Sequence, residues 1–524
     1  MANRFLKAFF IFLAVFVALV VAYWPAITAQ YLYHDDVVYF MTSPTRLEPP
    51  GSLYNVAIGR FLGANLLIGL GLLVHSISDL NIIRFLGLLQ LSICGFLFAR
   101  WLRKHFLSLP SSLLIAIATF TLPPFQIMVS QAGMGFQPVG IFFALLAAFS
   151  AYWVPTLGWN PKNLFNKNIL FSVLLLLAAL SVYQPAAMFF WAILGFVLLF
   201  SSKPLKELAA HVLHFVWSGL IAFVFYGVML DQTKKYFIKF NLWGYNPYSL
   251  TGDYAGKIKW FFDEPMISVL NLWNVFPQAL YANLFLGFVL GAVVLKVVRL
   301  RQGKALDWKR LMFVFIILSG LVFAAFLPNL ATESNIFFYR CAPALMALML
   351  FFAMASAREY LDVFKKANKF LLFSIVLGCV ALCGIVSAHQ TIYQHRIVPS
   401  QREWKLFLGT LLQANLNQYN RIYVIEPQEE HLRNRGDEYR NLTTRYSHNM
   451  LGLLSCALRT MAKGKMRIYH IAYDDAEKKA LFVFEDLKNK GVYIPYAIGL
   501  ESGPVLERIP EGTLVIDMRV LHDF

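Results

Sequence analysis

The segment IIRFLGLLQLSICGFLFARWLRKH, residues 82–105, is the most informative about the architecture of this chain. It begins with a long, mostly apolar run and ends in a basic cluster, RWLRKH, at residues 100–105. A run of this length predicts a membrane-spanning helix, and short loops rich in Lys and Arg stay on the cytoplasmic side of a membrane. Because successive spans alternate in direction, the side on which this cluster lies determines the orientation of every later span.

The composition indicates a chain built mainly from such helices. Hydrophobic residues make up 58% of the 524 residues, charged residues only 14%, and the mean hydropathy is +0.58. These values exclude an ordinary soluble protein. The net charge of +17 would suit a nucleic-acid partner, but most basic residues lie in short loops between apolar runs. We therefore interpret the charge as an orientation signal and expect no nucleic-acid partner.

The apolar run at residues 61–77 is ambiguous. If it spans the membrane, nineteen Lys and Arg residues of the loops lie outside and nine lie inside. If it lies along the outer interface instead, nineteen lie inside and nine outside. The positive-inside rule favours the interfacial position. The first run, residues 5–24, has the basic flank of a signal peptide but is long for one, so we expect a retained anchor.

These choices predict an all-α polytopic membrane domain over residues 1–388, with outer loops at 25–81 and 231–277. About eleven spans are expected, at residues 5–24, 82–99, 109–127, 137–154, 168–183, 186–201, 208–230, 278–298, 311–328, 341–357 and 370–388. An odd number of spans places the tail, residues 389–524, on the outer face. In the turn between the spans at 168–183 and 186–201, Pro185 suits the first turn of the returning helix.

The tail predicts a small C-terminal α/β domain. RIYVIE (421–426), MRIYHIAY (466–473) and TLVIDMRVL (513–521) have the composition of strands. Residues 400–419 and 451–464 have the pattern of helices. No Gly-rich phosphate loop, paired metal-ligand spacing or nucleophile elbow is present in this segment. We expect a domain that binds a partner or positions an acceptor.

Unusual polar residues recur in the predicted outer segments. HDD, residues 34–36, follows the first span at the point where the chain leaves the membrane. Further candidate binding residues are Arg60, Gln131, Tyr183, Gln184, Lys234, Lys235, Glu333, Tyr339 and Arg340. Charged groups at membrane depth are costly and usually mark a substrate path.

Asp35 and Asp36 are the candidate catalytic residues. One of two adjacent carboxylates can take a proton from an attacking hydroxyl, while repulsion from its neighbour makes it a stronger base. The sequence contains no geometric information that shows which of the two takes the proton. We prefer Asp36 as the base. Arg60 or Arg340 could hold a phosphate leaving group at the membrane surface. A sugar donor with its phosphate held there and its hydrocarbon tail in the lipid would be a polyprenyl-phosphate sugar.

Simpler interpretations of these residues stay open. His34, Asp35 and Asp36 could be the start of a solvated loop, and Arg60 and Arg340 could be interface anchors. Lys234 and Lys235 would then lie on a face exposed to solvent or lipid headgroups. His34 with two carboxylates does not form a complete metal site, so we expect no metal or other cofactor. Assistance by a divalent ion stays open but is not indicated.

The order of these features resembles the GT-C superfamily of polyprenyl-phosphate-dependent membrane glycosyltransferases. It is most similar to the glucosyltransferase family that modifies O-antigen and converts serotype. The resemblance covers roughly residues 5–390. It rests on HDD at 34–36, GRFLGANLL at 59–67, the stretch at 82–102, LPPFQIMVSQAGMGF at 122–136 and LSVYQPAAMFF at 180–190.

The resemblance implies an inverting hexosyltransferase of the bacterial inner membrane with its active site on the periplasmic side. The acidic catalytic residue of such enzymes lies in the first outer loop, which here points to Asp35 and Asp36. The implied donor is a sugar, with glucose expected, on undecaprenyl phosphate. The implied acceptor is O-antigen of lipopolysaccharide, another polysaccharide or a lipid-linked glycan. A separate synthase and a flippase would supply the donor.

Two other functions remain open. A transporter or flippase of lipid-linked glycan would be expected to carry charges in mid-span and an internal repeat, and the sequence shows neither. A membrane acyltransferase would favour a catalytic histidine, for which His211 and His214 are weak candidates.

Overall fold

The computed structural model of the chain describes residues 2–31, 36, 55–74, 77–154, 166–239, 251–273, 278–303, 308–335, 337–363, 368–398, 401, 421–425, 467–471, 501–502 and 513–517. His34 and Asp35 lie outside the described residues, as do residues 402–419 and 451–464 of the two predicted tail helices.

The described part of the chain is mostly helical. Its α-helices are α1 Ala2–Thr28, α2 Phe61–Gly71, α3 Leu80–His105, α4 Leu109–Phe120, α5 Pro123–Ser130, α6 Gln137–Tyr152, α7 Lys167–Val182, α8 Gln184–Ala187, α9 Phe189–Phe200, α10 Leu205–Lys239, α11 Tyr254–Phe261, α12 Ile267–Leu270, α13 Gln278–Gly303, α14 Trp308–Ala324, α15 Leu327–Ala331, α16 Pro343–Leu361 and α17 Lys369–Ile392. Short 3-10 turns cover Ile77–Asp79, Ala132–Met134 and Tyr339–Cys341, and π-helical turns cover Phe262–Met266 and Tyr393–Ile397.

Several of these helices are long and apolar enough to cross a membrane. Among the described residues there are seven: Phe5–Thr28, Leu80–His105, Ala132–Tyr152, Leu205–Lys235, Leu280–Val298, Pro343–Leu361 and Lys369–Ile392. The bent pair α4–α5 would make an eighth. These helices indicate a multi-pass membrane protein. The predicted number of about eleven is higher because it also counts α7, the α8–α9 pair and α14, each of 17 residues or fewer.

Helix α2 is the element on which the predicted orientation depends. It has 11 residues, so its length is about 16 Å at about 1.5 Å per residue. A typical hydrocarbon core is about 30 Å thick. The helix is therefore too short to cross, in agreement with the prediction that this run does not span.

Prolines determine where several helices begin and bend. Helices α4 and α5 meet at an angle of 65°, at the Pro123–Pro124 pair that opens α5. Proline has no N–H to donate and pushes the preceding residue out of the helical conformation. Leu122 accordingly has extended φ and ψ angles of −63° and 153°. Pro185 lies in the first turn of α8, which confirms its predicted position.

Contacts distinguish the two ends of the helical bundle. At one end the Lys104 ammonium lies 5.7 Å from the centre of the Trp153 ring. Lys203 Nζ lies there 3.0 Å from His211 Nε2, and Arg310 donates a hydrogen bond of 2.8 Å to the Ser201 carbonyl. We call this the basic end. The other end, where α1 ends and α3 begins, holds Asp36 and Arg84, and we call it the site end.

Aromatic side chains fill the centre of the bundle between these ends. The Phe98 ring of α3 lies edge-on to the rings of Phe120, Phe189 and Phe196, at centroid distances of 6.4, 6.5 and 6.0 Å. It also lies 5.9 Å from Phe351 of α16. Burial of large aromatic side chains with edge-to-face contacts stabilises the packing of these helices.

Four short strands are described in the tail: β1 Arg421–Ile425, β2 Arg467–Ile471, β3 Glu501–Ser502 and β4 Thr513–Asp517. They form a parallel sheet in the order β3-β2-β1-β4. Strands β1, β2 and β4 lie within the three segments that the sequence predicts as strands. Parallel neighbours require crossover connections, usually helices, and these connections lie outside the described residues.

Candidate active site

Asp36 is held at both carboxylate oxygens. Its side chain is fully buried. Oδ2 accepts a hydrogen bond of 2.9 Å from Arg84 Nη2, and Oδ1 accepts one of 2.8 Å from the Gly133 backbone N–H. A buried charge is tolerated when it is paired and hydrogen-bonded in this way. These two contacts join three segments: the one after α1, the first turns of α3 and the turn between α5 and α6.

Arg84 organises this cluster and is the residue that sequence reasoning missed. Its Nη2 also donates to the Tyr31 carbonyl at 2.9 Å, and its Nη1 donates to Asn81 Oδ1 at 3.1 Å. The guanidinium lies over the Tyr31 ring, 3.7 Å from the centroid. Arg84 is one of the nine Lys and Arg residues that the predicted topology places outside, and no role was predicted for it. Arg84 could have been recognised from its position within an apolar run, because a charged residue inside such a helix usually has a partner.

Tyr31 ties the same cluster to α5. Its hydroxyl donates a hydrogen bond of 2.6 Å to the Ser130 carbonyl. Burial raises the pKa of Tyr31, the positive charges of Arg84 and Arg396 oppose this, and the Asp36 carboxylate adds to it. The phenol therefore stays protonated and acts as a donor.

Gln131 follows this contact directly. It is buried, and within the described part of the chain its side-chain Oε1 accepts no hydrogen bond. Its backbone carbonyl accepts a hydrogen bond of 3.0 Å from the Met134 N–H. Gln131 thus lies beside the Asp36 cluster, in the turn that supplies Gly133.

Arg60, Tyr183 and Gln184, three of the candidate binding residues, form a second cluster at the site end. Arg60 Nε donates to Gln184 Oε1 at 3.2 Å, and Nη1 donates to Asn55 Oδ1 at 3.2 Å. The guanidinium lies over the Tyr183 ring, 4.5 Å from its centroid. The side chain of Arg60 is partly exposed while Tyr183 and Asn55 are buried. Its charge is thus held in one orientation at the surface of the bundle.

Gln184 and Tyr226 fix the turn that precedes Arg60. Gln184 Nε2 lies 2.7 Å from the Ile58 carbonyl and 2.5 Å from the Tyr226 hydroxyl, and that hydroxyl donates to the Gly59 carbonyl at 3.2 Å. Gly59 has φ of +84°, a conformation that glycine adopts without steric cost. A Cβ at this position would also meet the Tyr226 hydroxyl.

Helix α2 connects the two clusters. Gly63 lies against the Val182 carbonyl, next to Tyr183, and against the Phe136 ring, three residues after Gly133. The absence of a side chain at Gly63 allows this close approach. The Asp36 cluster and the Arg60 cluster are therefore parts of one site end.

Tyr339 and Arg340 border the Arg60 cluster. The Tyr183 hydroxyl donates to the Arg340 carbonyl at 3.3 Å, and the partly exposed Arg340 guanidinium lies 4.8 Å from the centre of the Phe338 ring. Tyr339 is buried, which raises the pKa of its phenol. Its hydroxyl has no hydrogen-bond partner within the described part of the chain.

Glu333 lies in the loop before these residues and is exposed. The neighbouring Ser334 carbonyl and Asn335 Oδ1 accept hydrogen bonds of 2.5 and 2.9 Å from the Lys257 ammonium. That ammonium also lies 4.3 Å from the centre of the Trp260 ring. Buried Lys257 thus connects α11 to the loop that carries Glu333.

The location of Lys234 and Lys235 differs from the prediction. The sequence placed them in an outer loop at 231–277, whereas α10 continues to Lys239. Lys235 forms an exposed ion pair of 2.6 Å with Asp231, one helical turn away. Helix continuation is favoured by such pairs and by the absence of Gly or Pro between 228 and 239. Both lysines lie about two turns beyond Tyr226, on a helical extension of the bundle.

The polar side chains at the site end are suited to acid–base chemistry and to binding an anion. In the part of the chain that the structure describes, no three His, Cys, Asp or Glu side chains come together to hold a metal ion. A carboxylate and two partly exposed arginines lie at the same end of the bundle. Neither a comparison with models of known protein families nor a comparison with curated proteins finds a match to this chain.

Proposed function

We propose that the chain is an inverting glycosyltransferase that transfers a sugar, with glucose expected, from undecaprenyl phosphate to O-antigen or another cell-surface glycan. The observation that carries this proposal is the joining of two features at one end of a membrane-embedded bundle. One is the Asp36 carboxylate, held by Arg84 and the Gly133 N–H. The other is the pair of partly exposed arginines, Arg60 and Arg340.

In the proposed reaction an acceptor hydroxyl attacks the anomeric carbon of the donor. The new C–O bond forms as the bond between that carbon and the phosphate oxygen breaks, and the base takes the hydroxyl proton. Both oxygens of Asp36 already accept hydrogen bonds. We therefore assign Asp36 to holding the acidic segment and Asp35 to taking the proton, which reverses the preference drawn from the sequence.

The phosphate leaving group gains negative charge as the bond breaks, so fixed cations beside it would stabilise the transition state. Arg60 is oriented by Gln184, Asn55 and the Tyr183 ring. Arg340 is tied to Tyr183 through its own carbonyl. We assign both guanidinium groups to the phosphate, with the polyprenyl chain in lipid.

The proposal includes an orientation. The basic end of the bundle would face the cytoplasm and the site end the periplasm, by the positive-inside rule. The α7, α8–α9 and α14 segments would also cross the membrane, which gives about eleven crossings in all. Because this number is odd, the C-terminal α/β domain would lie on the periplasmic side of the bacterial inner membrane. A separate synthase and flippase would supply the donor there.

The test is transfer in isolated membranes. Membranes with the wild-type protein, Asp35→Asn, Asp36→Asn and the double variant are incubated with labelled polyprenyl-phosphate glucose and polysaccharide acceptor. We expect label in polysaccharide for wild type and none for Asp35→Asn, at equal protein levels. Asp263→Asn, a change at an exposed carboxylate on the π-helical turn after α11, is the control and should transfer normally.

Two outcomes contradict the proposal. Full transfer by both single variants and by the double variant would exclude the acidic pair from the reaction. Label that changes leaflet without entering polysaccharide would indicate transport of the lipid-linked sugar instead.

A further inference from the structure

The basic end of the bundle contains a buried histidine that is hydrogen-bonded to a lysine. His211 of α10 is buried, and its Nε2 lies 3.0 Å from Lys203 Nζ. An ammonium group can only donate, so His211 Nε2 accepts this hydrogen bond and the neutral ring carries its hydrogen on Nδ1. This Nδ1–H has no acceptor among the residues that the structure describes. His211 therefore has a buried donor whose partner is not supplied by the described protein.

A second buried donor of this kind lies on another side of the Tyr152 ring. The Tyr152 ring of α6 stacks on the His211 ring, with 4.6 Å between the centroids, and the Trp101 ring of α3 lies edge-on to it at 5.4 Å. The indole N–H of Trp101 is buried, and no described residue accepts a hydrogen bond from it. Because an indole nitrogen only donates, both groups need an acceptor.

Positive charge is in excess around these donors. The Lys203 ammonium lies 5.2 Å from the centre of the Tyr152 ring. Ser201 links Lys203 to α14, since its carbonyl accepts 2.8 Å from Arg310 Nη2 and its hydroxyl accepts 3.1 Å from the Lys203 backbone N–H. The carboxylate of Glu207 lies 3.5 Å from Lys203 Nζ, but this pair is partly exposed and such pairs contribute little. The missing acceptor should therefore carry negative charge.

The position of the cluster indicates what the acceptor is. Helix α6 ends here and α10 begins here, and both belong to segments long and apolar enough to cross a membrane. Trp153, next to Tyr152, is half exposed, and the Lys104 ammonium lies 5.7 Å from its ring. Tryptophan and tyrosine concentrate at the level of the lipid headgroups, and lysine side chains extend toward it. Basic pockets between membrane helices are typical binding sites for anionic headgroups.

We propose that Lys203 and His211, together with Arg310, bind the phosphate of an anionic membrane lipid. A phosphodiester has only acceptor oxygens and carries negative charge, so it would satisfy the buried donors and offset the cations at the same time. The exposed apolar side chains of Val216 and Leu220 on α10 provide a surface for the acyl chains. The inference goes beyond the proposed function and does not depend on it, because it involves neither a sugar nor the site end.

The experiment measures thermal unfolding of the purified, lipid-depleted full-length protein in detergent, with and without added lipid. Phosphatidylglycerol should raise the unfolding midpoint of wild type, whereas phosphatidylcholine or inorganic phosphate at equal concentration should have little effect. In Lys203→Met the apparent Kd for phosphatidylglycerol should rise about tenfold or more, because a charge-assisted hydrogen bond is lost. Lys203→Arg should keep most of the affinity. The control is Lys309→Met, an exposed lysine at the start of α14, which should keep the wild-type Kd.

Several outcomes would overturn the inference. Equal values of Kd for wild type and Lys203→Met would exclude the lysine from the site. Equal stabilisation by phosphatidylcholine would contradict a preference for anionic lipid, and equal stabilisation by inorganic phosphate would contradict a lipid ligand. Each variant is compared with and without lipid, so its own stability does not enter the comparison.

A second measurement uses wild-type protein and covers the case in which Lys203→Met does not fold. A photoactivatable phosphatidylglycerol in nanodiscs should label the peptide that contains residues 201–211 in preference to other lipid-exposed segments, and an excess of unlabelled phosphatidylglycerol should suppress this labelling. Labelling spread evenly over the exposed helices would contradict the site. No sugar donor is present in either assay, so a negative transferase result would refute the proposed function and leave the lipid site standing.

Discussion

Arg84 Nη2 lies 2.9 Å from Asp36 Oδ2, and both side chains are completely buried. The two residues are 48 positions apart in the chain, so their contact joins the exit of α1 to the start of α3. The same guanidinium binds the Tyr31 carbonyl and stacks on the Tyr31 ring. One side chain thus holds the acidic residue and the residue that leads to it.

Removal of the Arg84 charge should strongly destabilise the protein. Arg84→Gln leaves Asp36 as a buried charge without its ionic partner, a change that typically costs about 3–5 kcal/mol. Thermal or denaturant unfolding in detergent measures this loss. Arg103→Gln, at an exposed position on the same helix, should stay close to wild type. Equal stability of the two variants would argue against the buried pair.

The Tyr31 hydroxyl should contribute a smaller amount. Tyr31→Phe removes the hydrogen bond to the Ser130 carbonyl and keeps the ring beneath Arg84. The expected loss of unfolding free energy is about 1 kcal/mol, with some addition for the unsatisfied buried carbonyl. Tyr254→Phe, at an exposed tyrosine, serves as the matched control in the same unfolding assay. No difference between the two variants would contradict the hydrogen bond.

Gly59 should not tolerate a side chain. At its φ of +84° an alanine is strained by about 1–3 kcal/mol, and its Cβ also meets the Tyr226 hydroxyl. We expect Gly59→Ala to lower stability and to disturb the turn that orients Arg60. Gly69→Ala is the control, because nothing lies within 4 Å of a Cβ there, and it should be neutral or stabilising by up to about 1 kcal/mol. The prediction fails if both variants unfold alike.

Lys257 should make stability depend on pH. Burial lowers its pKa from the ordinary value of 10.5. Between the lowered pKa and 10.5 the unfolded chain binds more protons at this site than the folded chain, so the contribution of Lys257 to stability rises with pH across that window. The difference in unfolding free energy between wild type and Lys257→Met should therefore grow toward pH 10.5. Denaturant unfolding of both proteins at several pH values measures this difference, and a difference that falls with pH would contradict the sign.

Much of the helical framework was accessible from the sequence. Apolar runs separated by basic loops predicted helices at positions where α1, α3, α6 and α17 are found. The Pro123–Pro124 pair could have predicted the bend between α4 and α5, since proline breaks the hydrogen-bond ladder. The extension of α10 to Lys239 was missed because hydropathy, which marks the apolar part of a helix, ends before the helix does.

The pairing of distant polar groups was decided by the tertiary structure. Arg84 with Asp36, Tyr183 with Arg340 and Arg60 with Gln184 are contacts between segments that no local pattern relates. Local hydropathy alone shows which segments are apolar enough to be helices, and the loop charges favour an interfacial position for residues 61–77. The short length of α2 is seen only in the structure, because the apolar run in the sequence continues beyond the end of the helix at Gly71. Packing of the helices then decided which polar groups share the site end, since their burial is tolerated only when a partner from another helix lies within hydrogen-bond distance.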